Sequence, residues 1–278
     1  MLIEIITNLS QFIRQQSTSS FLLLLCAAIA LVLANSGFSE QYLHLIHAPL
    51  AISLGTVRFE LSLQHWINEA LMSFFFLLVG LELKRELLLG ELADRQRAAL
   101  PAIAAIGGMV IPAALYWLWN PSGITKAGWG IPMATDIAFA IGALSALGKR
   151  ISPTLATFLI ALAIVDDIGA VLVIACFYTE KLHTEALLIS VLLTAILIAF
   201  NLSGIRRLTP YLLVGVLLWC AMLNSGIHAT LAGIVLAFTI PTSPAQYLEH
   251  RLHVPVAFFV VPLFALTNAA IPIHWNAI

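Results

Sequence analysis

Along the chain, apolar runs are broken by short polar stretches, and nine of the runs read as membrane-crossing helices: 21–34, 66–83, 98–118, 129–147, 154–178, 186–202, 211–223, 227–240 and 254–270. Several are shorter than the roughly 20 residues a straight crossing needs. Only Asn224, Ser225 and Gly226 separate the seventh run from the eighth, so one long broken helix competes there with two short ones. The run 21–34 also has the outline of a signal-peptide core ending in Ala34. Glu4 and a single basic residue, Arg14, precede it, which favours an uncleaved first span behind a short interfacial segment, 2–13. Between the first two runs the period changes. Ile52, Leu54, Val57, Phe59 and Leu61 are spaced mostly by two around Gly55-Thr56, predicting a β-hairpin over 50–63. Its open edges invite pairing with another copy of the chain; a structured loop in a monomer is the alternative.

Composition agrees with the pattern. Of 278 residues, 61% are hydrophobic and 10% charged, where soluble domains are nearer half and a quarter. The predicted class is an all-α polytopic membrane protein, 1–278 forming a single transporter-sized domain within a lipid bilayer. A net charge of −1 without any basic block excludes a nucleic-acid binder. Cys26, Cys176 and Cys220 all lie in apolar runs and read as packing residues, and no cofactor signature is present. With the N-terminus in the cytoplasm and alternating sides, the inner segments hold Arg14, Lys84, Arg85, Arg95, Arg97, Lys149, Arg150, Arg206, Arg207 and Arg251, whereas the outer ones hold only Arg58, Lys126 and Lys181. That bias is the one expected of cytoplasmic loops. The hairpin then lies outside.

Elimination narrows the chemistry. Of 14 acidic residues, only Asp136, Asp166 and Asp167 fall deep inside a run; Glu69 is one turn into the second, near the outer interface. A carboxylate at mid-membrane costs about 2.5–3.5 kcal/mol even on lenient scales, so a functional site is the default reading. No basic residue is deep enough in the pattern to neutralise them. Like charges this close disfavour double ionisation, so the pair holds a proton near neutral pH and releases it when a cation arrives. Carboxylate oxygens suit a hard ion such as sodium. Asp136 follows Pro132 by four residues, and Pro132 removes a backbone donor, so the 129–147 run is read as a broken helix. A simple proline kink is the plainer alternative.

At these residues the chain resembles the NhaA-type sodium/proton antiporters of bacterial inner membranes. The matching stretches are FFLLVGLELKRE at 75–86, ATDIAFA at 134–140, ALAIVDDIGA at 161–170 and SGIHATLAG at 225–233. The resemblance implies a helical bundle in which Asp166 and Asp167 bind sodium or protons in turn. Thr135 and Asp136 would stand beside them at a helix crossing. It implies further that Glu82, Arg85, Glu86, Glu249, His250 and His253 line a cytoplasmic mouth that senses pH; read from the residues alone they are solvated loop charges. His228 matches the family as well, though a single histidine is more often a packing or polar-contact residue. The hairpin corresponds to a homodimer contact. The implied function is export of sodium or lithium in exchange for external protons, in sodium and pH homeostasis, by a secondary active transporter and not an enzyme. The family has about twelve helices in inverted repeats. The chain runs only to Ile278, soon after the ninth run, so part of the repeat is expected, without the family's intramembrane lysine or the partner of the broken helix. A folded but non-transporting member is therefore the alternative. An intramembrane aspartyl protease, needing two facing carboxylates that share a proton, fits Asp136 and Asp166 poorly.

Overall fold

The computed structural model describes residues 2–54, 57–133, 153–177 and 183–273. Their packing defines two compact bodies, Met1–Thr18 with Leu83–Lys181 and Ser19–Glu82 with Leu182–Ile278. Among the described residues, five helices are long and apolar enough to cross a membrane, or six if Thr18–Ala34 and Ser39–Ile46, bent by 120°, form one broken span. The expected all-α membrane architecture is therefore present.

Helix α1 runs unbroken over Leu2–Ala34, so no break separates the expected interfacial segment from the first span. The chain then turns into α2, Ser39–Ile46, which the hydropathy pattern does not reveal because Gln41 and His44 interrupt it. The hairpin forms from β1, Pro49–Leu54, and β2, Val57–Ser62. Leu50 faces Leu61, Ile52 faces Phe59 and Leu54 faces Val57, the alternation read from the sequence.

Helix α3, Leu63–Leu89, starts at Ser62, whose side chain accepts the amide of His65, and contains a π turn at Ile67–Leu71. It extends past the predicted 83, so Glu82, Lys84, Arg85 and Glu86 lie on helix and not in a loop. Lys84 is 8% exposed, unlike the free cytoplasmic charge expected there. In the first body, α4, Arg95–Trp119, is capped by Asp94, which accepts the amide of Gln96 at 3.0 Å. A 3-10 run over Ile124–Met133 follows, then α5, Pro153–Phe177. Met109, Ala113 and Met133 make its core, with Trp129 and Val173 against them. Of the predicted 129–147 span, residues 129–133 end the 3-10 run, where Gly128, Gly130 and Pro132 are all poor α-helix formers. The remainder, including the expected helix break, lies outside the described residues.

The second body contains α6, Thr184–Leu202, α7, Leu208–Ser225, α8, Leu231–Thr239, and α9, Thr242–Asn268. Two corrections to the predicted spans arise here. The 227–240 run forms a helix of only 9 residues, about 14 Å long against a hydrocarbon core of about 30 Å. Gly226 ends α7 at φ +85°, and the turn after it consumes the start of the run. The stretch is apolar because Ala232, Leu236 and Ala237 are buried in protein. Conversely α9 begins at Thr242, well before the predicted 254, because its first half is polar and hydropathy detects only the second. Pro255 supplies no amide, and a π turn, Val256–Val260, follows it. The core joins Leu77 and Leu81 of α3 to Leu197, Leu218 and Leu236.

Helices α3 and α9 run antiparallel. At the hairpin end, Asn68 and Asn268 exchange side-chain amide bonds of 3.0 and 2.7 Å, and Gln64 donates to the carbonyl of Thr267 at 3.1 Å. Further along, Leu78 packs on Val256 and Val260.

Candidate ion-binding site

Asp166 and Asp167 lie near the middle of α5, about 20 Å from its Pro153 end at roughly 1.5 Å per residue. Asp166 is 2% exposed, whereas Asp167 is half-buried. The difference follows from the helix itself, since successive residues point about 100° apart. Gly169 fixes the packed face. A Cβ on it would collide with the Met109 thioether of α4, a flexible side chain that would have to shift, so Gly169 lies on the side that meets α4. Along α4 between Ala98 and Leu118 there is no charged side chain opposite the pair. Trp129 meets Phe177 edge to face at 5.1 Å and ties the 3-10 run to the far end of α5. The arrangement presents hard oxygen ligands of two different accessibilities within one helical turn, deep in an apolar body. Thr135 and Asp136, the expected helix-crossing partners, lie outside the described residues.

The six residues expected at a cytoplasmic mouth fall on the last turns of α3 and in the first half of α9. Arg85 and Glu86 form a loose ion pair, 3.9 Å, with the arginine side chain outermost. The Glu86 carboxylate folds over Gly90, where any Cβ would strike it. Glu249 and His253 are one turn apart on α9 and half-buried, while His250 is exposed. They are thus helical, contrary to the loop reading. Because α3 and α9 are antiparallel and Leu78 meets Val256, Glu82 and His253, each about a turn further on, share one end of that helix pair.

A second polar cluster was missed in the sequence. Glu69, on the π turn of α3, accepts the amide of Ala229 at 2.9 Å through one carboxylate oxygen, and the other lies 3.6 Å from His228 Nδ1. Its carbonyl accepts the Trp219 indole N–H at 2.9 Å and the Ser73 hydroxyl at 2.6 Å. Glu69 therefore binds the amide at the start of the α7–α8 turn leading into α8. The available signal was an acidic residue inside an apolar run, which requires a partner, and His228 is a polar residue in another apolar run.

Comparison with known proteins bears on the whole arrangement. A family model described as Na+/H+ antiporter 1 matches residues 10–278. The Na(+)/H(+) antiporter NhaA 1 of Saccharophagus degradans is 45% identical over 324 aligned positions, covering 98% of this chain and 70% of the relative. For the NhaA antiporter of Sulfurimonas denitrificans the identity is 43%, with 99% and 73% covered. For that of Escherichia coli O1:K1 it is 47%, with 96% and 71% covered. On the extent of that match and the helical membrane architecture, the chain belongs to the Na+/H+ antiporter 1 family.

Proposed function

We propose that the chain exchanges sodium ions for protons across a membrane, with Asp166 and Asp167 as the shared binding site. The observation that carries this reading is the neighbouring carboxylates halfway along an apolar helix, one of them 2% exposed. Acids at that depth are costly and mark ion or proton pathways, so reversible ion binding is the reading that two adjacent ones favour. Protons and sodium compete for the same oxygens, so a site loaded with one must release the other. The family match supports the same exchange. In this reading sodium, or lithium, leaves a bacterial cytoplasm through the inner membrane as external protons enter. Thr135 and Asp136 stand beside the pair, and Glu82, Arg85, Glu86, Glu249, His250 and His253 form a pH-responsive mouth. The hairpin over 50–63 pairs two copies of the chain.

The test is sodium-driven proton movement in vesicles containing the purified chain, followed with a pH-gradient dye. Asp166→Asn and Asp167→Asn are each expected to abolish the signal while size-exclusion profiles stay normal. Wild-type exchange by either variant removes these residues from the site, and absence of exchange in the wild-type chain removes the function.

A further inference from the structure

A cleft of about 330 Å³ opens on the second body between α3 and α7, with α8 as its floor. Its walls are two helical stripes. Ala70, Ser73 and Phe74 come from α3; Gly215, Val216 and Trp219 come from α7, at spacings of three and four that share a face. The depth on the α7 side is set by Gly215, which sits against the Leu236 methyl of the floor.

The wall has no polar group to offer. Ser73 and Trp219 are the polar side chains lining it, and both spend their donors on the carbonyl of Glu69. A buried water needs about two to four polar partners, so water is a poor occupant. The rim is continuous with exposed apolar surface on two helices of span length: Val216 is 60% exposed and Phe74 48%, and Leu213 and Leu217 beside them on α7 are exposed as well. We infer that this cleft holds one acyl chain of a membrane phospholipid, entering sideways from the bilayer. Trp219 closes the cleft at its Glu69 end, held by its hydrogen bond and by stacking on Trp66 at 6.2 Å. The headgroup stays outside, since the cleft gives it no partner. This site is independent of Asp166 and Asp167 and of the proposed exchange.

The test uses the full chain in vesicles of phosphatidylcholine brominated at mid-chain, a short-range quencher of indole fluorescence. Subtracting the emission of Trp219→Phe isolates Trp219. The expected result is that bromolipid at least halves the Trp219 emission, aqueous acrylamide leaves it unchanged, and Ala70→Leu, which fills the cleft, restores it. Ala70→Val serves the same purpose if Ala70→Leu does not elute like the wild type. Quenching by acrylamide makes the cleft aqueous and overturns the inference; no quenching by either agent means side chains close it. Bromolipid quenching that survives the filling variants comes from lipid at the rim, and quenching lost as protein density rises means a second copy covers the cleft. Each of these outcomes also overturns it.

Discussion

Gly233 is the position at which one methyl group should do most damage. Its α8 helix packs on α3 through Gly233 and Ala237, four residues apart, small residues of the kind that let membrane helices touch backbone to backbone. A Cβ on Gly233 would strike the carbonyl oxygen of Ser73 and lie 2.8 Å from the amide nitrogen and 3.3 Å from the Cα of Leu77. All three are main-chain atoms of a helix, so no rotamer change relieves the clash. Restoring ordinary separations of about 3.5–4.0 Å moves the helices apart by roughly 1 Å, which forfeits about a quarter to a half of each dispersion contact across the crossing. Overpacking of this kind costs about 1–3 kcal/mol. Gly80 on α3 faces the reciprocal problem, 2.7 Å from the Ala237 Cβ and 3.2 Å from the Ile234 Cα. At Gly215 the nearest atom, at 2.6 Å, is a leucine methyl that can rotate away, and at Gly108 nothing lies within 4 Å. Fluorescence-detected size exclusion after heating should therefore rank the alanine variants Gly233, Gly80, Gly215, Gly108 from least to most stable. A Gly233→Ala protein as heat-resistant as Gly108→Ala would refute the backbone-contact argument.

Three other outcomes are expected. In a double-mutant cycle, Asn68→Ala and Asn268→Ala should couple by about 0.6 kcal/mol and at most about 1.7, the range for hydrogen bonds between membrane helices; strictly additive losses of thermal stability would show that the amide exchange contributes nothing. Glu69→Gln keeps an oxygen for the Ala229 amide, whereas Glu69→Leu orphans that donor at about 1–3 kcal/mol. His228→Ala should lose less than Glu69→Leu, because its Nδ1 is 3.6 Å from the carboxylate and the side chain 38% exposed, and heated size exclusion that reverses this order contradicts the assignment. If one proton and sodium compete at the proposed site, each unit fall in pH on the acid side of the optimum should raise the apparent KM for sodium by up to about tenfold with an unchanged maximal rate. A KM that stays constant while the maximal rate falls would place the proton elsewhere.

Most of the fold was readable where hydropathy and burial in lipid coincide, and misread where they part. Runs such as 98–118 and 186–202 became helices close to the predicted bounds, and little of either is buried in protein, so their hydropathy is that of a span and not of a core. The 227–240 run is equally apolar but its residues face protein, and no transfer scale distinguishes a lipid environment from a packed interior. Helix α9 fails in the opposite sense. Its residues from Thr242 to His253 are polar yet helical, so a hydropathy window sees only where the helix becomes apolar. The hairpin was legible because a period of two, with a Gly-Thr turn, has no helical reading.

The acid pair shows a finer limit. Helix α5 is apolar on every side, so no polar stripe tells which flank faces the protein, and two adjacent aspartates look interchangeable in the sequence. They are not, and the cue was Gly169. Asp166 and Gly169 are three apart, about 60° around the helix from each other; Asp167 precedes Gly169 by two and points across the helix from it. Gly169 marks the side that meets Met109 of α4, and the structure has Asp166 2% exposed toward that side, with Asp167 half-buried off it. A search for intramembrane acids finds the candidate pair, and Gly169, three residues beyond Asp166, is what distinguishes its members. The same reasoning says that enlarging Gly169 acts first on Asp166, through the Met109 contact on the side they share, and reaches Asp167 only if α5 itself is displaced.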